Sequence, residues 1–135
     1  MDDASLSEAF WSVAHRLRHQ TRVALEPWDL SPSLARALSV LSRHGDMRLS
    51  GLADHLRIAA RSATEVADDL ASRGLAERHP DPDDRRATLL VLTDKGRETA
   101  EAIKAARRKE GEQVFSGLDT EERDELGRLL RKLQQ

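Results

Sequence analysis

The 135-residue chain contains no cysteine and no tyrosine, and only two tryptophans, two phenylalanines and four prolines. The lack of cysteine excludes disulfides, thiolate nucleophiles, Cys-ligated zinc and any cysteine redox switch. Apolar residues make up 39% and charged residues 34%, which with so little proline suits a folded helical domain and argues against disorder. No apolar run approaches the roughly 20 residues needed to cross a bilayer. The opening Met1-Asp2-Asp3 lacks the basic and apolar segments of a signal peptide. The expectation is therefore no membrane and a cytoplasmic location. A glycine-rich phosphate loop, a His-Glu-x-x-His pair, a nucleophile elbow and a dinucleotide fingerprint are all missing. The many carboxylates lie beside Lys and Arg, the usual pattern of solvated helix faces. No enzyme, catalytic residue, metal or cofactor is expected. The net charge of −2 gives no global attraction to nucleic acid, so any such affinity must come from cations gathered on one face.

What the chain does have is an informative run from Gly74 to Thr93. Gly74 can take the left-handed conformation that ends a helix. Pro80 and Pro82 keep the charged segment that follows out of any helix. Ala87 to Leu92 is a β-prone apolar run, and Thr93 is a good cap for a new helix. A short strand, a charged loop and a second strand directly after an amphipathic helix describe the wing of a winged helix-turn-helix.

Helical periodicity accounts for the rest. Leu6, Phe10, Val13, Ala14 and Leu17 predict a helix over 5–24, with Arg16, Arg18 and Arg22 on its other side. Ser31-Pro32 starts a second helix that runs to about Arg43. A short helix over Ser50 to Leu56 and another over about Ala60 to Arg73 form the helix-turn-helix, the second burying Ala63, Val66, Ala67 and Leu70. A long helix from Thr93 to about Phe115 carries a basic patch of Lys104, Arg107, Arg108 and Lys109. Asp119 and Glu122 form a capping box that opens a last, leucine-striped helix. The apolar stripes of the terminal helices lie outside the winged module and need a cover, which a second copy of the chain would provide. The expected fold is mainly α with a small two- or three-stranded antiparallel β wing. It forms a single domain over 1–135, with a winged helix-turn-helix lobe over 31–96 and dimerisation helices over 1–30 and 97–135.

Six segments in this order resemble the MarR family of transcription regulators. They are Ser31-Pro32, Leu52-Ala53-Asp54-His55-Leu56, Ala63-Thr64-Glu65-Val66 running to Gly74-Leu75, Asp81-Pro82-Asp83-Asp84-Arg85-Arg86, Leu92-Thr93-Asp94-Lys95-Gly96, and the last helix after Asp119. The resemblance spans nearly the whole chain. It implies a homodimer that binds double-stranded DNA and represses nearby genes, with release by a small, frequently aromatic ligand. Two features depart from the family's reading helix. Ala59-Ala60 stand where Ser or Thr is frequent, and Glu65, Asp68 and Asp69 make the helix acidic.

Arg61, Ser62, Thr64 and Glu65 sit on the first turns of the second helix of the motif, the part that enters a major groove. Arg61 can make a bidentate bond to guanine and Glu65 can accept from cytosine N4. Asp84 and Arg86 match the Asp-x-Arg of the family's wing, which leaves Arg85 or Arg86 to reach the backbone or a narrow minor groove. Arg73 and Arg78 are candidates for phosphate contacts. Trp11, His15 and His19 fall at i, i+4, i+8 on the first helix, and Trp28 follows it. These four are the candidates for an aromatic effector, which the resemblance implies sits between dimer domain and winged lobe. His15 and His19 also have the spacing of a shared metal ion, with a third ligand from His44, His55 or a carboxylate. The alternatives are thus a zinc-responsive regulator, or a protein-interaction module that has lost DNA reading.

Overall fold

The computed structural model describes residues 3–134, the elements in order being α1 (Asp3–Leu25), α2 (Pro32–His44), β1 (Met47–Arg48), α3 (Leu49–Leu56), α4 (Ala60–Ser72), β2 (Ala76–Asp81), β3 (Asp84–Leu92), α5 (Asp94–Val114) and α6 (Thr120–Leu133). It divides into two compact units: residues 25–105, and residues 1–24 with 106–135.

In the winged unit, Pro27 lies in a single 3-10 turn, Glu26–Trp28, that closes on Asp29 in the left-handed conformation (φ 50°). Ser31 then starts α2 as predicted, its Oγ accepting from Leu34 N at 3.2 Å with Pro32 in the first turn. The amphipathic faces of α2, α3 and α4 meet in one core. Leu38, Leu52, Leu70, Leu90 and Ile103 are its fully buried large side chains, each worth about 1.5–3 kcal/mol relative to exposure.

The sheet has the order β1-β3-β2, all antiparallel. The third strand of the wing is β1, two residues pairing Met47 with Leu90 and Arg48 with Leu89. Two residues are too short to show any periodicity; the free edge of β3 creates this strand. The ribbon also reaches further than the apolar run at 87–92. β2 extends to Asp81 and β3 begins at Asp84, so only Pro82 and Asp83 are left as the loop. Apart from Asp81, the outer ribbon is exposed or half-exposed, so it needs no hydrophobic alternation. Pro80 lies inside β2 opposite Thr88, not in the loop. It is tolerated because β2 is an edge strand, and the register shifts between Pro80 and Asp81.

Gly74 (φ 72°) stops α4 as expected. The chain then turns into a clasp. Thr93 N donates to Leu75 O at 3.1 Å, Thr93 Oγ1 donates to Gly74 O at 2.7 Å, and Gly96 N donates to Thr93 Oγ1 at 3.0 Å. This caps α5 and fixes it to the root of the wing. Glycine is required at 96, because any Cβ there would run into the Leu75 carbonyl.

In the other unit, α6 opens with the predicted capping box. Asp119 Oδ1 accepts from Glu122 N at 2.8 Å, and Glu122 Oε1 accepts from Asp119 N at 3.1 Å. Phe115, Leu126 and Leu130 line an apolar groove of about 320 Å³. The stripe of α1 faces water within the single chain, with Leu6, Phe10 and Val13 all exposed.

Candidate nucleic-acid interface

The turn between α3 and α4 is short because Arg57 takes a left-handed conformation (φ 55°), its N–H donating to Asp54 O at 3.3 Å. For a residue with a Cβ this conformation costs about 1–2 kcal/mol. The core on either side of the turn holds it in place. Ala63, Val66, Ala67 and Leu70 point inward from α4, which turns the opposite face out to water.

That outward face has two halves. In the first two turns, Arg61 and Glu65 are exposed and make no hydrogen bond or ion pair among the described residues. Ser62 is half-buried, and Thr64 Oγ1 donates to Ala60 O at 3.2 Å, so its hydroxyl is engaged by its own helix. In the second half the acidic residues are paired. Arg78 Nη2 on β2 meets Asp68 Oδ1 at 2.6 Å, and Arg73 Nε meets Asp69 Oδ1 at 3.1 Å. Arg73 also donates to Asp29 O at 2.8 Å. The helix is therefore less acidic at its surface than its sequence indicates, and Arg73 and Arg78 are already occupied. Such exposed pairs add little stability, under about 1 kcal/mol; what they change is the local field.

At the wing, Arg85 and Arg86 are exposed, the Arg86 side chain at 94%. Asp84 acts locally: its Oδ1 accepts from Arg86 N at 3.0 Å and lies 3.6 Å from Arg86 Nε. The most deeply placed carboxylate here is Asp81, which the sequence reading passed over. It is buried, its Oδ1 accepts from Asp83 N at 2.9 Å, and its Oδ2 accepts from Arg48 Nε at 2.7 Å. The Asp83 N–H and then the Arg48 guanidinium hold its carboxyl below the ordinary range. The signal for it was the Asp-Pro-Asp order, since an aspartate that accepts from the backbone two residues on closes a tight turn. Nothing in the sequence pointed to Arg48 as its partner.

Trp11, His15 and His19 are all exposed on α1, with Trp11 edge-on to Phe10 at 6.1 Å and His19 Nδ1 accepting from Arg22 at 3.2 Å. Trp28 belongs to the winged unit. There it lines a cleft of about 250 Å³ with Leu30, Arg73, Leu75, Lys95 and Thr99. His44 and His55, offered as third metal ligands, stack on each other at 4.3 Å. Among the described residues no three His, Asp or Glu side chains converge as a metal site would require, and no helix is long and apolar enough to cross a membrane.

A tri-helical core, a helix with an open first half and a three-stranded wing define a winged helix-turn-helix protein, a class whose binding surface is that helix and wing. Comparison with known proteins narrows this. The model of the MarR family matches residues 30–88. An uncharacterised HTH-type transcriptional regulator of Bacillus subtilis, YkoM, is 31% identical over 93% of this chain and 79% of its own length. The transcriptional repressor MprA of Escherichia coli is 37% identical over 81% of this chain and 63% of its own. A MarR family protein from Bacillus stearothermophilus superposes with a TM-score of 0.88 at 25% identity, covering 99% of this chain and 96% of that one. The chain belongs to the MarR family of transcription regulators.

Proposed function

We propose that this chain is a repressor that binds a pseudo-palindromic DNA operator as a homodimer and is released by a small aromatic effector. One observation carries the DNA reading: the same unit presents an unencumbered Arg61 and Glu65 on α4 and an exposed Arg85 and Arg86 on the wing. Arg61 reads guanine in the major groove, Ser62, Thr64 and Glu65 supply neighbouring contacts, and Asp84 shapes the tip from which Arg85 and Arg86 reach the flanking backbone or minor groove. The repressor role is supported by the similarity to MprA. The homodimer is supported by α1, which leaves Phe10 at 53% and Trp11 at 61% exposure in the single chain, and by Leu133 of α6 at 78%. Two copies would present their reading helices about 34–36 Å apart, one turn of DNA. The effector candidates are the Trp28 cleft and the Trp11, His15 and His19 face.

The test is duplex binding to the chain's own upstream region over a salt series. Affinity falls steeply with salt as counterions are released. Arg61→Ala relaxes base preference at one position of each half-site, at a cost of about 1–3 kcal/mol there. Arg86→Ala weakens binding to all sequences and lowers the salt slope by about one. Affinity that ignores salt, or two variants that bind as the parent does, would refute the proposal and favour a protein partner for this surface.

A further inference from the structure

We propose that Arg48 and Asp81 form a tether across the wing sheet that sets the Arg85–Arg86 tip relative to the reading helix, making both of them positioning residues for DNA binding. The inference rests on the DNA-binding reading above.

The sheet register shows what the tether joins. Arg48 pairs with Leu89, and Leu89 pairs with His79, so these three residues form one row across β1, β3 and β2. Asp81 lies two residues beyond His79, toward the tip. The Arg48 side chain must therefore run along the sheet, past β3, to bring Nε within 2.7 Å of Asp81 Oδ2. Arg48 is also the residue immediately before α3, where it occupies the cap position without making a side-chain cap bond. One end of the tether is thus the start of the helix-turn-helix. At the other end, the second oxygen of the same carboxylate accepts from Asp83 N and closes the two-residue turn. A single buried carboxylate links the first helix of the motif to the tip of the wing.

The tether sits where the ribbon is weakest. β2 is an edge strand, Pro80 has no N–H to give the ladder, and the register breaks between Pro80 and Asp81. Beyond that break the two strands hold the tip only through the Asp81–Asp84 pairing. A tip free to swing would have to be ordered by the DNA itself, and immobilising long side chains on binding costs affinity. For two arginines and their turn the loss amounts to roughly tenfold.

The electrostatic alternative predicts the opposite sign. Asp81 lies near a surface proposed to face a polyanion, so removing its charge should tighten binding if charge alone mattered. The decisive variant is Asp81→Asn, which keeps an oxygen to accept from Asp83 N and loses the ion pair. It is expected to bind the operator about tenfold more weakly. Arg48→Gln should lose a similar factor with an unchanged salt slope, and the double variant should be no worse than either single one. Amide exchange in the free protein provides a reading independent of DNA: Asp83 and Arg86 should exchange faster in both variants while α4 amides keep their protection. The tether is wrong if Asp81→Asn binds as tightly as the parent or tighter. It is equally wrong if Arg48→Gln lowers the salt slope by about one, which would place Arg48 on a phosphate, or if tip amides exchange at the parental rate. A parent that binds no duplex at all would sink the DNA-binding reading instead, and amide exchange would still decide the tether.

Discussion

Replacing Gly96 with alanine tests how closely α5 is fastened to the wing root. A Cβ at 96 would stand 2.9 Å from the Leu75 carbonyl carbon and 3.2 Å from Leu92 Cδ2, and closer still to the Leu75 oxygen. That oxygen already accepts from Thr93 N, and Gly96 N donates to the Thr93 hydroxyl. Backbone cannot step aside as a flexible side chain can, so α5 must lift away from Leu75 and its clasp must loosen. Overpacking of this kind costs about 1–3 kcal/mol, and a lost cap adds about 1 kcal/mol. The gain of about 1 kcal/mol in helix propensity offsets the lost cap, leaving a net loss of roughly 1–3 kcal/mol. Gly111, near the far end of the same helix, is the matched control, because a Cβ there meets nothing within 4 Å. Gly111→Ala should be stabilising by up to about 1 kcal/mol. Urea titrations followed by far-UV circular dichroism, at one protein concentration, should therefore move the two midpoints in opposite directions. In a thermal scan Gly96→Ala should melt roughly 4–12 °C earlier. If Gly96→Ala unfolds within about 0.5 kcal/mol of the parent, or both variants shift the same way, the close approach described here is wrong.

Two further outcomes follow from the winged unit. Folding lowers the Asp81 carboxyl below its ordinary value of 3.8, so its stabilising contribution is complete above that value and is lost as the pH falls through the lower folded one. The difference in urea midpoint between parent and Asp81→Asn should hence be constant at neutral pH and shrink below about pH 4; a difference unchanged down to pH 2 would contradict the assigned contacts. Ser31→Ala removes the Oγ that accepts from Leu34 N, and should cost about 1 kcal/mol, with Ser31→Asp recovering most of it. Equal stability of parent and Ser31→Ala would show that the cap is not formed.

The helices were legible in the sequence because each carries an apolar stripe at a 3.6-residue period, whether or not the single chain covers it, and several carry their own end signals, as at Ser31-Pro32, Gly74 and the Asp119–Glu122 box. The outer wing and β1 were not, because strands that are wet on both sides, or two residues long, impose no pattern on side chains. The open half of α4 was legible for a similar reason: a buried stripe at 63, 66, 67 and 70 leaves 61 and 65 outside. Long-range pairing was the hidden part. Asp68 and Asp69 looked like an electrostatic obstacle to DNA until Arg78 and Arg73 were found beside them. In the sequence Asp81 is one of three aspartates beside the wing arginines, and only its burial and its bond to Arg48 set it apart. Both depend on contacts between residues far apart in sequence, which no local window contains.

The division of α4 into an unengaged first half and a salt-bridged second half also limits how such a protein can be re-addressed. Changes at 68 or 69 would strand an arginine that braces the wing or the α1–α2 loop. Changes at 61 and 65 disturb no internal partner. On the proposed DNA-reading role of α4, a library confined to those two positions, with Ser62 as a third, would search for new target sequences at little risk to folding.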